Sequence, residues 1–208
     1  MDSINWINTY LRDVSLLLDE LSAEQIDAAA GQLLDAWRRQ ARVFVCGNGG
    51  SAAIASHFAG DLNKGTNVAG RHRFRAMSLV DNVPALMAWS NDDGYETGMA
   101  EQLRNFVEPG DLVIGFSGSG NSANVLNTIR LARQAGASTI GICGFDGGGL
   151  LQLSDVTIQV PSHGMEQVED VFSVICHGLL FALRRRIRME PPSGDALLAS
   201  AQDAYPEE

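Results

Sequence analysis

His57 and Asp61 stand four residues apart just after a glycine-rich turn, and Glu169 and His177 stand eight apart near the other end of the chain. On a helix, a spacing of four puts two side chains on one face. A spacing of eight leaves them about a quarter-turn apart, close enough to converge with some side-chain reach. A lone helical histidine is usually a satisfied core residue. Two imidazoles and two carboxyls in matching settings instead offer nitrogen and oxygen donors that suit zinc or a similar divalent ion. The same groups are suited to taking a proton and handing it on. His57, Asp61, Glu169 and His177 are therefore the candidate metal ligands, and residue type alone does not separate ligand from base.

Two turns are suited to an anion. In Gly47-Asn48-Gly49-Gly50-Ser51-Ala52 the glycines let the backbone turn sharply and approach a ligand, and the helix that follows presents unpaired N–H groups. The stretch formally fits the dinucleotide fingerprint G-x-G-x-x-A. That pattern wants an acid about 20 residues on, and Asp81 lies considerably farther along. In Phe116-Ser117-Gly118-Ser119-Gly120-Asn121-Ser122 three hydroxyls interleave with two glycines, a compact nest of donors for a phosphoryl group. A serine-capped turn would account for one of those hydroxyls. Neither loop carries the Gly-Lys-Ser/Thr ending of a nucleotide P-loop. The expected phosphate contacts are Asn48, Gly49, Gly50 and Ser51 from the first loop and Ser117, Gly118, Ser119 and Ser122 from the second.

Regular elements must hold these loops. Short apolar runs at 43–46, 76–80, 112–116, 139–143 and 156–160 read as buried strands, and 51–62, 83–89, 96–106, 121–135 and 166–186 read as helices. Continuous apolar strands separated by helices predict an α/β fold, a doubly wound parallel five-stranded sheet with its ligand site beyond the carboxyl ends of the strands. Ahead of it, Ile4, Ile7, Leu11, Val14, Leu18 and Leu21 trace one helix face, and Ser22-Ala23-Glu24-Gln25 opens a second helix through Trp37. Residues 1–40 thus read as a helical extension and 41–188 as the main domain. The apolar seam of the first helix either folds back on its own domain or packs on another subunit, and its regularity favours the second.

Composition narrows the remaining choices. The 208 residues carry a formal net charge of −10, which repels nucleic acid and leaves phosphate to be held by backbone amides. Cys46, Cys143 and Cys176 are an odd number in apolar stretches and read as reduced core thiols. No run is long enough to span a membrane, and Met1 to Asn5 lacks a basic and apolar leader, so a cytoplasmic location is expected. Arg184 to Arg188 reads as a solvated helix end rather than a nucleic-acid patch. Arg71-His72-Arg73-Phe74-Arg75 reads either as a solvated loop or as a patch that draws in an anion. Residues 189–208, with Pro191, Pro192 and several acids, read as a flexible acidic tail.

The two loops, in this order of elements, resemble the sugar isomerase (SIS) domain, and from about Ile4 to Arg186 the chain resembles the phosphoheptose isomerase family. That resemblance implies an aldose–ketose isomerase acting on sedoheptulose 7-phosphate, a bound zinc ion or similar divalent metal, and a homotetramer. The family places a His and a Glu four apart and a Gln and a His eight apart around its zinc, matching His57, Asp61, Glu169 and His177. Asp61 is one methylene shorter than the usual glutamate, and Glu169 replaces the usual glutamine. By resemblance Asp61 is the proton-abstracting base, His177 its acid–base partner, and Glu169 a further substrate contact. Asn91 and Asp92 match an Asn-Asp pair that meets the sugar, although Asn, Asp and Gly there also make an ordinary turn. The resemblance also admits a regulatory role, as a partner of the replication initiator or a phosphosugar sensor, or isomerisation of another phosphosugar.

Overall fold

The computed structural model describes residues 2–192. Residues 193–208, most of the expected tail, lie outside them. Two helices come first, α1 (Ser3–Asp19) and α2 (Ala23–Arg38). Asp2 caps α1 by accepting from Asn5 N at 3.1 Å, and Ser22 caps α2 by accepting from Gln25 N at 3.2 Å, as the capping pattern requires. Strands and helices then alternate: β1 (Arg42–Cys46), α3 (Gly49–Lys64), β2 (Arg75–Ser78), α4 (Val83–Asp92), α5 (Gly98–Arg104), β3 (Leu112–Ser117), α6 (Ala123–Gln134), β4 (Ser138–Cys143), α7 (Gly148–Leu153), β5 (Val156–Gln159) and α8 (Met165–Met189).

All strand pairs are parallel, in the order β2-β1-β3-β4-β5. This is the expected five-stranded α/β sheet with helices on both faces. Alternation along β1 explains the two layers, since successive side chains point to opposite faces. Val43 and Val45 enter the core that α2, α3 and α8 cover, whereas Phe44 and Cys46 enter the core under α5 and α6. The order reverses between β1 and β3, so the loops that leave these two strands flank the crevice where α/β sheets take ligands. Those are the two loops marked in the sequence.

The first two helices divide differently from a plain extension. Ala29, Ala30, Leu33, Ala36 and Trp37 of α2 are buried in the same core as the strands. On α1, Leu17 is buried and Val14 and Leu18 pack on that core, as does Leu21 just beyond the helix, while Ile4, Ile7 and Leu11 stay 57–64% exposed. The basic stretch at 71–75 is partly absorbed into packing, with Arg73 and Arg75 left exposed. Arg71 donates to the carbonyls of Ile187 and Arg188 at the end of α8, the His72 ring stacks on Trp37 at 4.0 Å, and Phe74 is buried. Among the described residues no helix is long and apolar enough to cross a membrane.

Candidate active site

Helices that follow strands usually satisfy their first N–H groups with a capping side chain, and Asn and Ser are among the best caps. Here both loops decline to do so. Asn48 occupies the N-cap of α3 and Ser122 that of α6, yet neither side chain caps its helix. Asn48 turns away to exchange amide hydrogen bonds with Asn124, at 2.8 and 2.7 Å, and accepts from the Tyr95 hydroxyl at 2.8 Å. Ser122 Oγ lies 3.0 Å from Ser117 Oγ. The first turns of two helices, each with the positive end of its dipole, are thereby left to an anion.

The second loop is tight enough to demand its glycines. Gly120 has φ +66°, and a β-carbon there would strike the Gly147 carbonyl of the neighbouring turn. Asn121 reaches across to accept from Gly149 N at 3.0 Å, which pins that turn to the serine loop. Ser119 Oγ accepts from Asn121 N at 3.2 Å, while Gly118 lies under Met165.

Farther along α3, His57 and Asp61 face α8 and meet His177. Asp61 Oδ2 lies 3.5 Å from His57 Nε2 and 3.6 Å from His177 Nε2, and the two rings stand edge to face with centroids 5.3 Å apart. One donor atom from each of the three residues fits within 4.8 Å of the other two. Bonds of about 2 Å to a common ion place its ligands about 3.3 Å apart, so the set fits zinc with three protein ligands and a position left for water or substrate. The Asp61 side chain is 21% exposed and the imidazoles more than half, which leaves the cluster open to a ligand. Burial, and secondarily the Asp61 carboxylate, push the neighbouring Cys176 thiol up, so it stays a neutral wall rather than a thiolate ligand. Cys46 and Cys143, both free and buried, are pushed up to about 12 by desolvation and are inert core groups.

Glu169 does not join this group of three. Its carboxylate lies instead against Gly50, where a β-carbon would run into it, and accepts from Ser51 Oγ at 3.4 Å. Eight residues of helix are about 12 Å of rise, which outweighs the quarter-turn argument for convergence with His177. Asn91 donates to Asp92 Oδ1 at 2.7 Å at the exposed end of α4. It is Tyr95, just beyond them, that reaches the first loop.

The family model for the SIS domain matches residues 9–144. A phosphoheptose isomerase of Roseiflexus sp. is 38% identical over 165 residues, covering 79% of this chain and 83% of the relative. The chain belongs to the phosphoheptose isomerase family of SIS domains. The lincomycin biosynthesis protein LmbN of Streptomyces lincolnensis is 37% identical over 190 residues, 86% of this chain and 69% of LmbN. Among solved structures, phosphoheptose isomerase GmhA from Neisseria gonorrhoeae superposes with a TM-score of 0.83 at 26% identity, covering 88% of this chain and 100% of GmhA.

As a phosphoheptose isomerase family member the protein is a phosphosugar isomerase, and the sequence reading overlooked part of what frames its loops. Buried Asn124 and exposed Tyr95 fix Asn48. Ser56 Oγ donates to Asp81 at 2.5 Å and lies 3.3 Å from Ser78 Oγ at the end of β2. A cleft of about 290 Å³ opens here, walled by Asn48, Gly49, Ser56, Tyr95 and Asn124 among others. His57, which faces α8, is not part of that wall.

Proposed function

We propose that the protein converts sedoheptulose 7-phosphate to D-glycero-D-manno-heptose 7-phosphate through an enediol. The observation that carries this reading is the meeting of His57, Asp61 and His177 farther along α3 from a first turn that no side chain caps. Length supports it too. Ser51 and His57 are six residues apart on α3, about 9 Å of rise. An extended chain gains about 1.2 Å per bond, the same geometry that gives 3.3–3.6 Å per three-bond residue. The eight bonds from C1 to phosphorus of a seven-carbon 7-phosphate therefore span roughly 10 Å, against about 5 Å for the four bonds of a triose phosphate.

In this reading the loops hold the phosphoryl tail, with Ser51, Ser117, Ser119 and Ser122 donating alongside backbone amides. Asp61 keeps Oδ2 toward the two histidines and uses Oδ1 to take the proton from C1 and return it at C2. His177 carries a proton between O1 and O2 through the ring nitrogen that does not face Asp61. A zinc ion held by His57, Asp61 and His177 would polarise those oxygens and stabilise the negative charge that develops on them. The exposed seam of Ile4, Ile7 and Leu11 supports assembly with further copies of the chain, as the homotetramer expected from the family resemblance requires.

A second reading keeps the chemistry and changes the sugar. It is supported by the similarity to a lincomycin biosynthesis protein and by Asp61 and Glu169, which depart from the family pattern at two site positions. Five-, six- and seven-carbon ketose phosphates followed by NMR with the zinc-loaded protein separate the two. Turnover of the seven-carbon substrate alone supports the first. Clean, metal-loaded protein that turns over none of them sinks both.

A further inference from the structure

Glu169 holds the place where the phosphoryl group is expected. Its half-buried carboxylate lies over Gly50 in the first turn of α3, near enough that a β-carbon there would meet both of its oxygens, and a long 3.4 Å hydrogen bond from Ser51 holds it. The Asn48 amide, which would otherwise cap this turn, is committed to Asn124. A carboxylate can settle at such a turn for the same reason a phosphate can, because both are anions facing the positive end of a helix dipole. The two cannot share it: unit charges about 5 Å apart repel appreciably even when partly solvated.

We infer that Glu169 is an internal competitor for the phosphate seat, an affinity-setting residue that the incoming phosphoryl group must displace from Gly50 and Ser51. The inference rests on the reading of this turn as a phosphate site. Its consequence is a looser hold on phosphosugars than a glutamine at this position would give. The phosphoryl group does not react, so loosening it weakens substrate and transition state alike and appears in KM.

The test is calorimetric titration of the full chain with inorganic phosphate, in chelator and without metal, for the wild type, Glu169→Gln and Glu169→Ala. Glutamine keeps the shape and removes the charge, whereas alanine removes both. Tightening on the order of tenfold in both variants is expected. Unchanged or weaker binding in both overturns the competition. So does tightening in the glutamine variant alone, which would credit a new amide contact instead of the lost charge. If none of the three proteins binds phosphate, the seat itself is misassigned, and the proposed phosphate site falls with the inference.

Discussion

The side-chain amides of Asn48 and Asn124 face each other across two loops and exchange both hydrogen bonds, at 2.8 and 2.7 Å. The pair joins the loop after β1 to the helix after β3, the two strands that border the reversal in strand order. It has an energetic role and a chemical one. It satisfies polar atoms in a buried setting, and it withdraws from α3 the cap its sequence provides.

Asn124→Ala should therefore act on stability and phosphate binding together. Asn124 is 3% exposed, and removing it takes from the half-buried Asn48 amide two of its three hydrogen bonds, leaving only the one from the Tyr95 hydroxyl, at a cost of about 1 kcal/mol. Asn48 is then free to turn back and cap α3, competing with the phosphoryl group. The expected outcome is a lower melting temperature and a KM raised several-fold more than kcat falls, read from thermal denaturation and steady-state kinetics. A fall in kcat with KM unchanged would contradict the role given to the pair.

Asp61 Oδ2 serves two histidines at once, so Asp61→Asn should strip the cluster of its charge while keeping its shape. Zinc affinity measured by competition with a chromophoric chelator should drop, and kcat should fall by about a hundredfold or more. His177→Ala should give a similar loss. Its side chain is 56% exposed, so the melting temperature of the metal-free protein should barely move.

What the sequence disclosed followed the range of each signal. His57 and Asp61 were legible because a spacing of four is local, and the two loops because glycine and serine at strand ends have few other uses. The pairing with His177 needed α3 to pack beside α8, a long-range contact that no local spacing carries. Glu169 was grouped with the metal ligands because its angular offset was weighed without its axial one. Asn124 was missed because a polar residue in the first turn of a helix resembles a solvated one, and only the fold buries it. The six-residue α7 begins Gly148-Gly149 and is too short for a period to show. On β2, an edge strand with an exposed first residue, the expected span of 76–80 shifted to Arg75–Ser78.

Tyr10 offers a pH-dependent readout of how α1 is held on α8. Its hydroxyl donates to Asp170 at 2.5 Å. That bond, then burial and the charges of Asp170 and Glu166, push the phenol up from 10.0 to about 12. A pKa raised in the folded state gives stability that is fully present below the unfolded value and lost as pH rises through the folded one. Wild-type stability should thus decline between about pH 10 and pH 12, more than in Tyr10→Phe. The comparison is made by chemical denaturation at matched pH, and parallel curves would show that the contact contributes nothing.

The outer half of α1 presents Ile4, Ile7 and Leu11 at 64%, 57% and 61% exposure, and α8 leaves Val174 exposed at 45%. Burying one such side chain is worth about 1.5–3 kcal/mol, and an apolar stripe of this kind left in water marks a contact surface. Val14, Leu17 and Leu18 hold the other half of the helix on its own core, so a charge placed on the outer half should leave the chain folded. Under the proposed assembly, Leu11→Glu should give a smaller species than the wild type by light scattering, with an unchanged far-ultraviolet circular dichroism spectrum. If the wild type is monomeric at micromolar concentration, or if Leu11→Glu assembles as the wild type does, this face does not join copies of the chain.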